Sequence, residues 1–196
     1  MEEPIRHVIN LELLPKMFPT HSHDPKFWES LGRAVATFGF LEETLAKAIF
    51  AFTATKPYSD EEVIKALDEW GPKLKKALSD QLWNLIKTYE NAVREHPEAI
   101  IENLDELLDQ LKEAAKIRNV ICHGSWRSPN SEGASVPFFV NRQQERFDTA
   151  VDVSYLLQLQ KRVSKLICAV IDTVTHMGWQ FPGSEGPGKV IWEPHK

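Results

Sequence analysis

The sequence predicts an all-α fold, a four- to five-helix bundle with a short β-hairpin or loop inserted before the last long helix. Apolar residues recur at three- and four-residue steps over long stretches, and capping signals precede several of these stretches. The helical period is lost in one long interior segment, residues 124–149. Hydrophobic residues make up 42% of the 196-residue chain, which is enough to build one core.

The first long helix is predicted from Pro25 to about Ala54. Asp24 is a favourable N-cap, and proline is well tolerated at the first helical position. Glu42 lies inside the apolar face of this helix, so we expect its carboxylate to need a cation or hydrogen-bond donors. Residues 1–23 contain three prolines and are predicted to form an extended arm before the helix. The apolar face consists of Phe27, Leu31, Val35, Phe38, Leu45, Ile49 and Phe52.

A second helical region is predicted from about Asp60 to about Glu95. Residues 59–62 read Ser-Asp-Glu-Glu, a capping box with serine at the cap and glutamate three residues later. The dipeptide at positions 71–72, Gly-Pro, predicts a break or sharp kink within the region. The helix that resumes after it carries Leu74, Leu78, Leu82, Leu85 and Ile86.

The second half of the chain is predicted to contain two more helices. One runs from Pro97 to about Cys122, and the other from about Asp152 to Met177, where a glycine ends it. Between them, turn-forming residues followed by apolar ones predict a β-hairpin or an ordered loop. Residues 24–177 therefore form one helical domain, and residues 178–196 are predicted to be a loose tail.

Composition excludes several classes of protein. A net charge of −5 and a pI near 5.8 argue against a general nucleic-acid coat protein, which would present a broad basic surface. No apolar run is long enough to predict a membrane span, and the acidic N-terminus does not resemble a signal peptide. Cys122 and Cys168 lie in apolar helical contexts, so we expect reduced, buried thiols in a cytoplasmic protein. The pair His21 and His23 has no complementary ligand motif elsewhere, so no metal or other cofactor is expected.

A polar segment, residues 118–123, ends the helix that begins at Pro97. On an ideal helix Arg118 lies on the apolar face around Leu111, and Asn119 and His123 lie on the shoulder of that face. Arg118 and His123 are five residues apart and diverge by about 140°, so one helix end does not aim both at a single phosphate. A distorted last turn or a second subunit is needed to complete such a site.

The segment Arg118-Asn119-Val120-Ile121-Cys122-His123, at the end of a long helix in a bundle, resembles the R-N-x-x-x-H signature of the HEPN superfamily. HEPN stands for higher eukaryotic and prokaryotic nucleotide binding, and the resemblance covers roughly residues 24–177. It implies a metal-independent endoribonuclease, often a toxin or an antiviral effector, acting as a homodimer whose two motifs face each other across a two-fold axis. RNA is then the substrate, and an antitoxin or other regulatory protein is a possible partner.

The resemblance also implies roles for the motif residues. His123 would act in acid–base catalysis on the ribose 2′-hydroxyl or the leaving 5′-oxygen, and Arg118 would stabilise charge on the phosphate. Asn119 would orient the histidine or the phosphate, and a 2′,3′-cyclic phosphate would be the product. Independently of the resemblance, we expect Glu42 to lie beside Arg118 or His123 and to orient it.

Two residues after the motif are candidate substrate contacts. Trp126 is able to stack on a base and Arg127 to contact a phosphate, whereas in the structural alternative Trp126 packs the inserted loop onto the bundle. A non-catalytic alternative also exists for the whole protein, a helical nucleotide-binding or protein-interaction module. In it Arg118 pairs with Glu42 for stability alone, and His123 caps the end of its helix.

Overall fold

The computed structural model describes residues 7–59 and 81–191, and in these ranges the fold is the predicted all-α bundle. It contains four α-helices and no extended β-strand over the described residues. The predicted break at positions 71–72 and most of the capping box lie outside the described residues. The helices are α1 (Pro25–Ala54), α2 (Leu82–Arg94), α3 (Leu104–His123) and α4 (Val153–Thr175), and a short 3-10 helix (Leu11–Leu13) precedes them in the arm.

The first helix, α1, is the centre of the bundle and has the predicted limits. The Asp24 carboxylate accepts a hydrogen bond from the Lys26 backbone N–H at 2.7 Å, so the predicted N-cap is present. α1 packs most extensively against α4 and next against α2, while α3 contacts all three other helices. The residues of α1 that are least exposed in this core are Leu41, Leu45, Ala48, Phe27, Phe52 and Ala34.

The third helix, α3, begins at Leu104, so the prediction that it starts at Pro97 is wrong. Asn103, directly before it, has φ 58°, a left-handed conformation that cannot continue a helix from earlier residues. The buried His96 imidazole accepts a hydrogen bond from the Glu98 backbone N–H at 3.3 Å, which holds the connection in a turn. The end of α3 at His123 agrees with the prediction to one residue.

The segment between α3 and α4 is an ordered loop held by isolated antiparallel bridges. Ser125 pairs with Phe138, and Ser135 pairs with Val151, both by backbone hydrogen bonds. These bridges are too short to form strands, so of the two predicted alternatives the ordered loop is correct. The loop leads into α4, whose N-cap Asp152 accepts a hydrogen bond from the Tyr155 backbone N–H at 2.6 Å.

The chain after α4 folds back onto the bundle, so the prediction of a loose tail is wrong for residues 178–191. Phe181 is only 7% exposed and belongs to the core. Backbone hydrogen bonds join Gln180 to Lys189 and Lys189 to Gly178, at 2.8 and 2.7 Å. A single buried aromatic ring in a glycine- and proline-rich stretch thus anchors the segment.

The two cysteines are both free and exposed, which corrects the prediction that they are buried. Cys122 and Cys168 lie on the outward sides of α3 and α4, although apolar residues flank each of them in the sequence. Hydrophobic neighbours along the chain do not fix burial, because adjacent helical residues point about 100° apart.

Over the described residues, no helix has both the length and the apolar character needed to cross a membrane.

A polar helix end as the candidate functional site

The predicted contact between Glu42 and Arg118 is present, and it joins α1 to the end of α3. An Arg118 guanidinium nitrogen lies 3.4 Å from Glu42 Oε1. Both side chains are 25% exposed, so the pair is shielded without being sealed inside the core. Glu42 lies one turn after Phe38 and one turn before Ala46, both buried, which places it at the edge of the core-facing side of α1.

The Glu42 carboxylate is in an unfavourable environment. Burial raises its pKa, and the positive charge of Arg118 opposes that rise. Its Oε1 is buried and has no hydrogen-bond partner in the described ranges, since the contact with Arg118 is an ion pair without hydrogen-bond geometry. A carboxylate that is partly desolvated and only partly compensated makes a poor contribution to stability.

Asn119 and His123 lie on the exposed side of the same helix end. Both residues are exposed, and neither side chain has a hydrogen-bond partner among the residues that the structure describes. The four-residue spacing places them on one face of α3. The motif is therefore divided into a shielded cation that α1 holds in place and two polar side chains open to solvent.

The last turn of α3 remains regular through His123. The Gly124 backbone N–H donates to the Val120 carbonyl at 2.8 Å, which is the ordinary helical hydrogen bond. A distorted last turn was one of two predicted ways to bring Arg118 and His123 to a single phosphate. The structure does not show that distortion. The other predicted way, a second subunit, stays a prediction.

Gly124 is a point of close approach between the helix end and the loop. A Cβ atom added there would lie 2.5 Å from the Val120 carbonyl oxygen and 2.9 Å from Pro137 Cβ. Any residue can adopt its φ of −70°, so glycine is needed here only because a side chain has no room. The loop is thus fixed against the turn that carries His123.

The thiol of Cys122 is not an activated nucleophile. Desolvation is the main reason that its pKa is raised, the negative charge of Glu42 adds to this, and Arg118 opposes it. A raised pKa keeps the sulfur in the thiol form, which is the weak form for nucleophilic attack.

Trp126 packs into a group of rings that we call the aromatic cluster: His23, Phe27, Trp28 and Trp126. The Trp126 ring meets Phe27 edge-to-face at 5.0 Å and lies 6.4 Å from His23, centroid to centroid. This arrangement agrees with the structural alternative, in which Trp126 joins the inserted loop to the bundle. Only the solvent-facing part of the half-buried Trp126 indole could therefore stack on a base.

Arg127 lies on the outside of the loop and stacks on Phe138. Its guanidinium carbon is 5.2 Å from the ring centroid, a cation–π contact. Phe138 is 50% exposed, so it is not part of the core. Arg127 itself is exposed, and this contact leaves its charge free to meet an incoming phosphate.

Sequence reasoning missed the role of His23, which anchors the arm to the loop. It is 8% exposed, and its Nε2 lies 2.9 Å from Ser135 Oγ. Its ring stacks on Phe27 at 4.3 Å, and burial lowers its pKa. The only signal in the sequence was an imidazole directly before the helix N-cap, and residue type alone does not indicate that a histidine there is buried.

In the described ranges, no three histidine, cysteine or acidic side chains converge as metal ligands.

Comparisons with protein-family models, with curated proteins and with solved structures gave no match for this chain.

Proposed function

We propose that this protein is a metal-independent endoribonuclease of the HEPN type, acting as a homodimer. The observation that carries the proposal is the division of the motif. Arg118 is held by Glu42 from another helix, while Asn119 and His123 remain exposed without partners in the described chain. Phosphodiester cleavage through the 2′-hydroxyl requires a positioned cation and a free imidazole, and in this proposal the second copy brings the two to one phosphate.

The proposed reaction needs only these side chains. His123 removes the proton from a ribose 2′-hydroxyl, and the 2′-oxygen attacks the adjacent phosphorus. The bond from phosphorus to the 5′-oxygen breaks, and the leaving oxygen takes a proton, supplied by His123 of the second copy. Arg118 stabilises the charge on the phosphate in the transition state. The products are a 2′,3′-cyclic phosphate and a free 5′-hydroxyl.

The remaining residues have supporting roles in the proposal. Glu42 orients the Arg118 guanidinium, Asn119 orients the histidine or the phosphate, and Arg127 adds a phosphate contact outside the catalytic pair. The chain charge of −5 favours a small local RNA site over broad nucleic-acid binding. A cytoplasmic toxin or antiphage effector, restrained by an antitoxin or regulatory protein, is the setting that the resemblance suggests.

The test is cleavage of a mixed RNA pool in EDTA. We expect the wild type to cleave, and His123→Ala and Arg118→Ala to lose roughly 10²-fold or more of that activity. The matched controls are His176→Ala and Arg33→Ala, which remove an exposed histidine after α4 and an exposed arginine on α1. Mass spectrometry of the products should find 2′,3′-cyclic phosphate ends. Equal loss in the controls, or cleavage that EDTA abolishes, would contradict the proposal.

A second candidate is a non-catalytic nucleotide-binding or interaction module. The observation that favours it is that Arg118 already has a carboxylate partner inside the protein. In this case the wild type binds labelled RNA or nucleotide without cleaving it, and Asn119→Ala weakens binding while the bound RNA stays intact. Binding without cleavage at every protein concentration would favour the module over the enzyme.

A further inference from the structure

One side of the loop that follows α3 is an exposed patch built from two facing chain segments. Ser125 and Phe138 pair through two backbone hydrogen bonds, at 3.0 and 2.8 Å, and residues paired in this way point to the same side. Residues two positions away along each segment share that direction, because side chains alternate on extended backbone. We call these four exposed residues the outer loop face: Ser125, Arg127, Val136 and Phe138.

Burial agrees with this alternation and leaves the Phe138 ring available. Trp126 and Pro137, which lie between members of the outer loop face, are half-buried and buried. Trp126 packs against the core, whereas Phe138 is 50% exposed and does not. The guanidinium carbon of Arg127 lies 5.2 Å from the centroid of the Phe138 ring, so the arginine contacts the ring while half of that side chain still meets solvent. The stacking surface that the sequence suggests at Trp126 is therefore present at Phe138.

The outer loop face lies beside the end of α3. Ser125 is two residues after His123, and Phe138 is paired with Ser125. Extended chain advances about 3.3 Å per residue, and Cα atoms of a hydrogen-bonded pair are about 5.5 Å apart, so the Cα atoms of Phe138 and His123 lie within roughly 12 Å. The close approach of Gly124 to Pro137 fixes the two segments against each other. A nucleotide next to a phosphate held at His123 can therefore reach the Phe138 ring.

Charge indicates what kind of ligand this face fits. Residues 95–113 contain seven acidic residues and one lysine, whereas residues 114–131 contain three lysine or arginine residues and no acid. Lys116 and Arg118 each have a carboxylate partner, but Arg127 has none among the described residues. An uncompensated cation in contact with an exposed aromatic ring matches a ligand that is flat at one end and anionic at the other. A nucleotide has both features, because its base stacks on rings and its phosphate pairs with arginine.

We propose that the outer loop face binds one nucleotide of single-stranded RNA, with the base stacked on Phe138 and the phosphate paired with Arg127. Bases inside a duplex are stacked on their neighbours, so only an unpaired base reaches the ring. Every base has a π-face, so stacking gives little sequence preference. The inference rests on the proposed function for the choice of RNA, and it adds to that function the form of the strand and the residue that holds the base.

Binding of an uncleavable probe tests this face without any ribonuclease activity. The probe is a short fluorescein-labelled 2′-O-methyl RNA of mixed sequence, which has no 2′-hydroxyl to attack, and fluorescence anisotropy with the full chain gives its dissociation constant. Phe138→Leu keeps apolar bulk but removes the π-face, so it should raise that constant roughly 5-fold or more, and Phe138→Trp should keep it within about 2-fold of the wild type. The matched control is Phe40→Leu, which replaces a 53% exposed ring on α1 and should change nothing.

Three comparisons separate the base contact from the phosphate contact. An abasic form of the probe should bind the wild type and Phe138→Leu equally, because it has no base to stack. The probe annealed to its complement should also bind both proteins equally, since its bases are no longer free. Arg127→Gln should reduce the slope of log affinity against log salt by about 0.7, the value for one phosphate of a single strand, whereas Phe138→Leu should leave the slope unchanged.

Folding and the proposed function are judged separately. The circular dichroism and thermal midpoint of Phe138→Leu should equal those of the wild type, since the ring is half exposed. A wild type that does not bind the probe, or Phe138→Leu that binds it as tightly as the wild type, would overturn the inference even if the protein cleaves RNA. A probe held through Phe138 by a protein that leaves ordinary RNA intact would support the inference and contradict the ribonuclease.

Discussion

The polar end of α3 and the aromatic cluster differ in how they satisfy their polar atoms. In the cluster, His23 bonds to Ser135 Oγ and the Trp28 indole N–H bonds to a backbone carbonyl. At the helix end, one Glu42 oxygen is buried without a hydrogen-bond donor in the described chain, and His123 has no side-chain partner there either.

This difference separates a region that holds the fold together from one that adds little to its stability. Buried polar groups that are all paired, among stacked rings, stabilise a structure and fix one arrangement. A shielded carboxylate beside an arginine adds little stability, and an exposed imidazole without a partner in the described chain adds little as well; perturbed and incompletely paired groups of this kind concentrate at functional sites. Substitutions in both regions test the contrast.

The largest expected effect is on the cluster side. Phe27→Ala should lower the free energy of unfolding by about 3–5 kcal/mol, because it removes a ring that is 1% exposed and contacts His23, Trp28 and Trp126. Urea denaturation followed by circular dichroism measures the loss. The control is Phe40→Ala on the same helix, where the ring is 53% exposed, and its loss should stay below about 1 kcal/mol. Equal losses for the two would show that the cluster has no special role.

Arg118→Ala should have an intermediate effect, about 1–2 kcal/mol at pH 7, because it leaves the Glu42 carboxylate shielded without a cation. Burial raises the pKa of Glu42, so the protonated form is favoured in the folded state. The folded protein then binds a proton that the unfolded chain releases, and the stability this gives is present at low pH and lost as pH rises through the folded pKa.

Two measurements check the cause of that loss. The destabilisation by Arg118→Ala should be smaller near pH 4 than at pH 7, since a neutral carboxyl group does not need the arginine. Adding Glu42→Gln to Arg118→Ala should recover part of the lost stability at pH 7. A loss that is the same at both pH values and in the double variant would mean that the ion pair is not its source.

The sequence was enough to predict the helices whose signals are local. Asp24 caps α1 as expected, because an N-cap depends on a few adjacent residues, and α4 begins at Val153, one residue from the predicted start near Asp152. The contact between Glu42 and Arg118 was also predicted, because each of the two lies on the apolar face of its helix and needs a partner of opposite charge. The start of α3 was missed because the left-handed backbone at Asn103 leaves no clear pattern in the sequence.

Contacts between distant segments account for the other errors. His23 and Ser135 are 112 residues apart, and neither residue type indicates the other as its partner. Phe181 anchors the C-terminal segment, although its glycines and prolines are typical of a loose tail. Burial of the two cysteines was predicted wrongly because local hydrophobicity does not give the direction of one helical side chain. These features depend on tertiary packing, which overrides local preference.

A smaller effect is expected from acidification, and it belongs to the cluster. Burial lowers the pKa of His23 from its ordinary value of 6.5, so the unfolded chain takes up a proton before the folded protein does. The stability due to neutral His23 is complete above pH 6.5 and declines as pH falls from 6.5 to the folded pKa. Each unit of lowering corresponds to about 1.4 kcal/mol at most.

Substitution identifies the group responsible for this decline. His23→Gln should flatten the dependence of unfolding free energy on pH just below 6.5, whereas His21→Gln, at an exposed position two residues away, should leave it unchanged. Among the described residues, ring contacts and a hydrogen bond join His23 to the uncharged Phe27, Trp28, Trp126 and Ser135, and none of these four titrates in this range. An unaltered slope in His23→Gln would place the titrating group elsewhere.

The smallest effect on stability is expected at the residue with the largest proposed role in function. His123→Ala should change the free energy of unfolding by less than about 0.5 kcal/mol, because the side chain is exposed and unpaired among the described residues. If His123 instead served to cap α3, its loss would cost about 0.3–1 kcal/mol through the helix dipole, and RNA cleavage would not change with it. Denaturation and cleavage measured on one preparation separate the two roles. Unchanged stability with cleavage lost would mean that this histidine is retained for chemistry and not for the fold, which is the opposite of the expectation for His23.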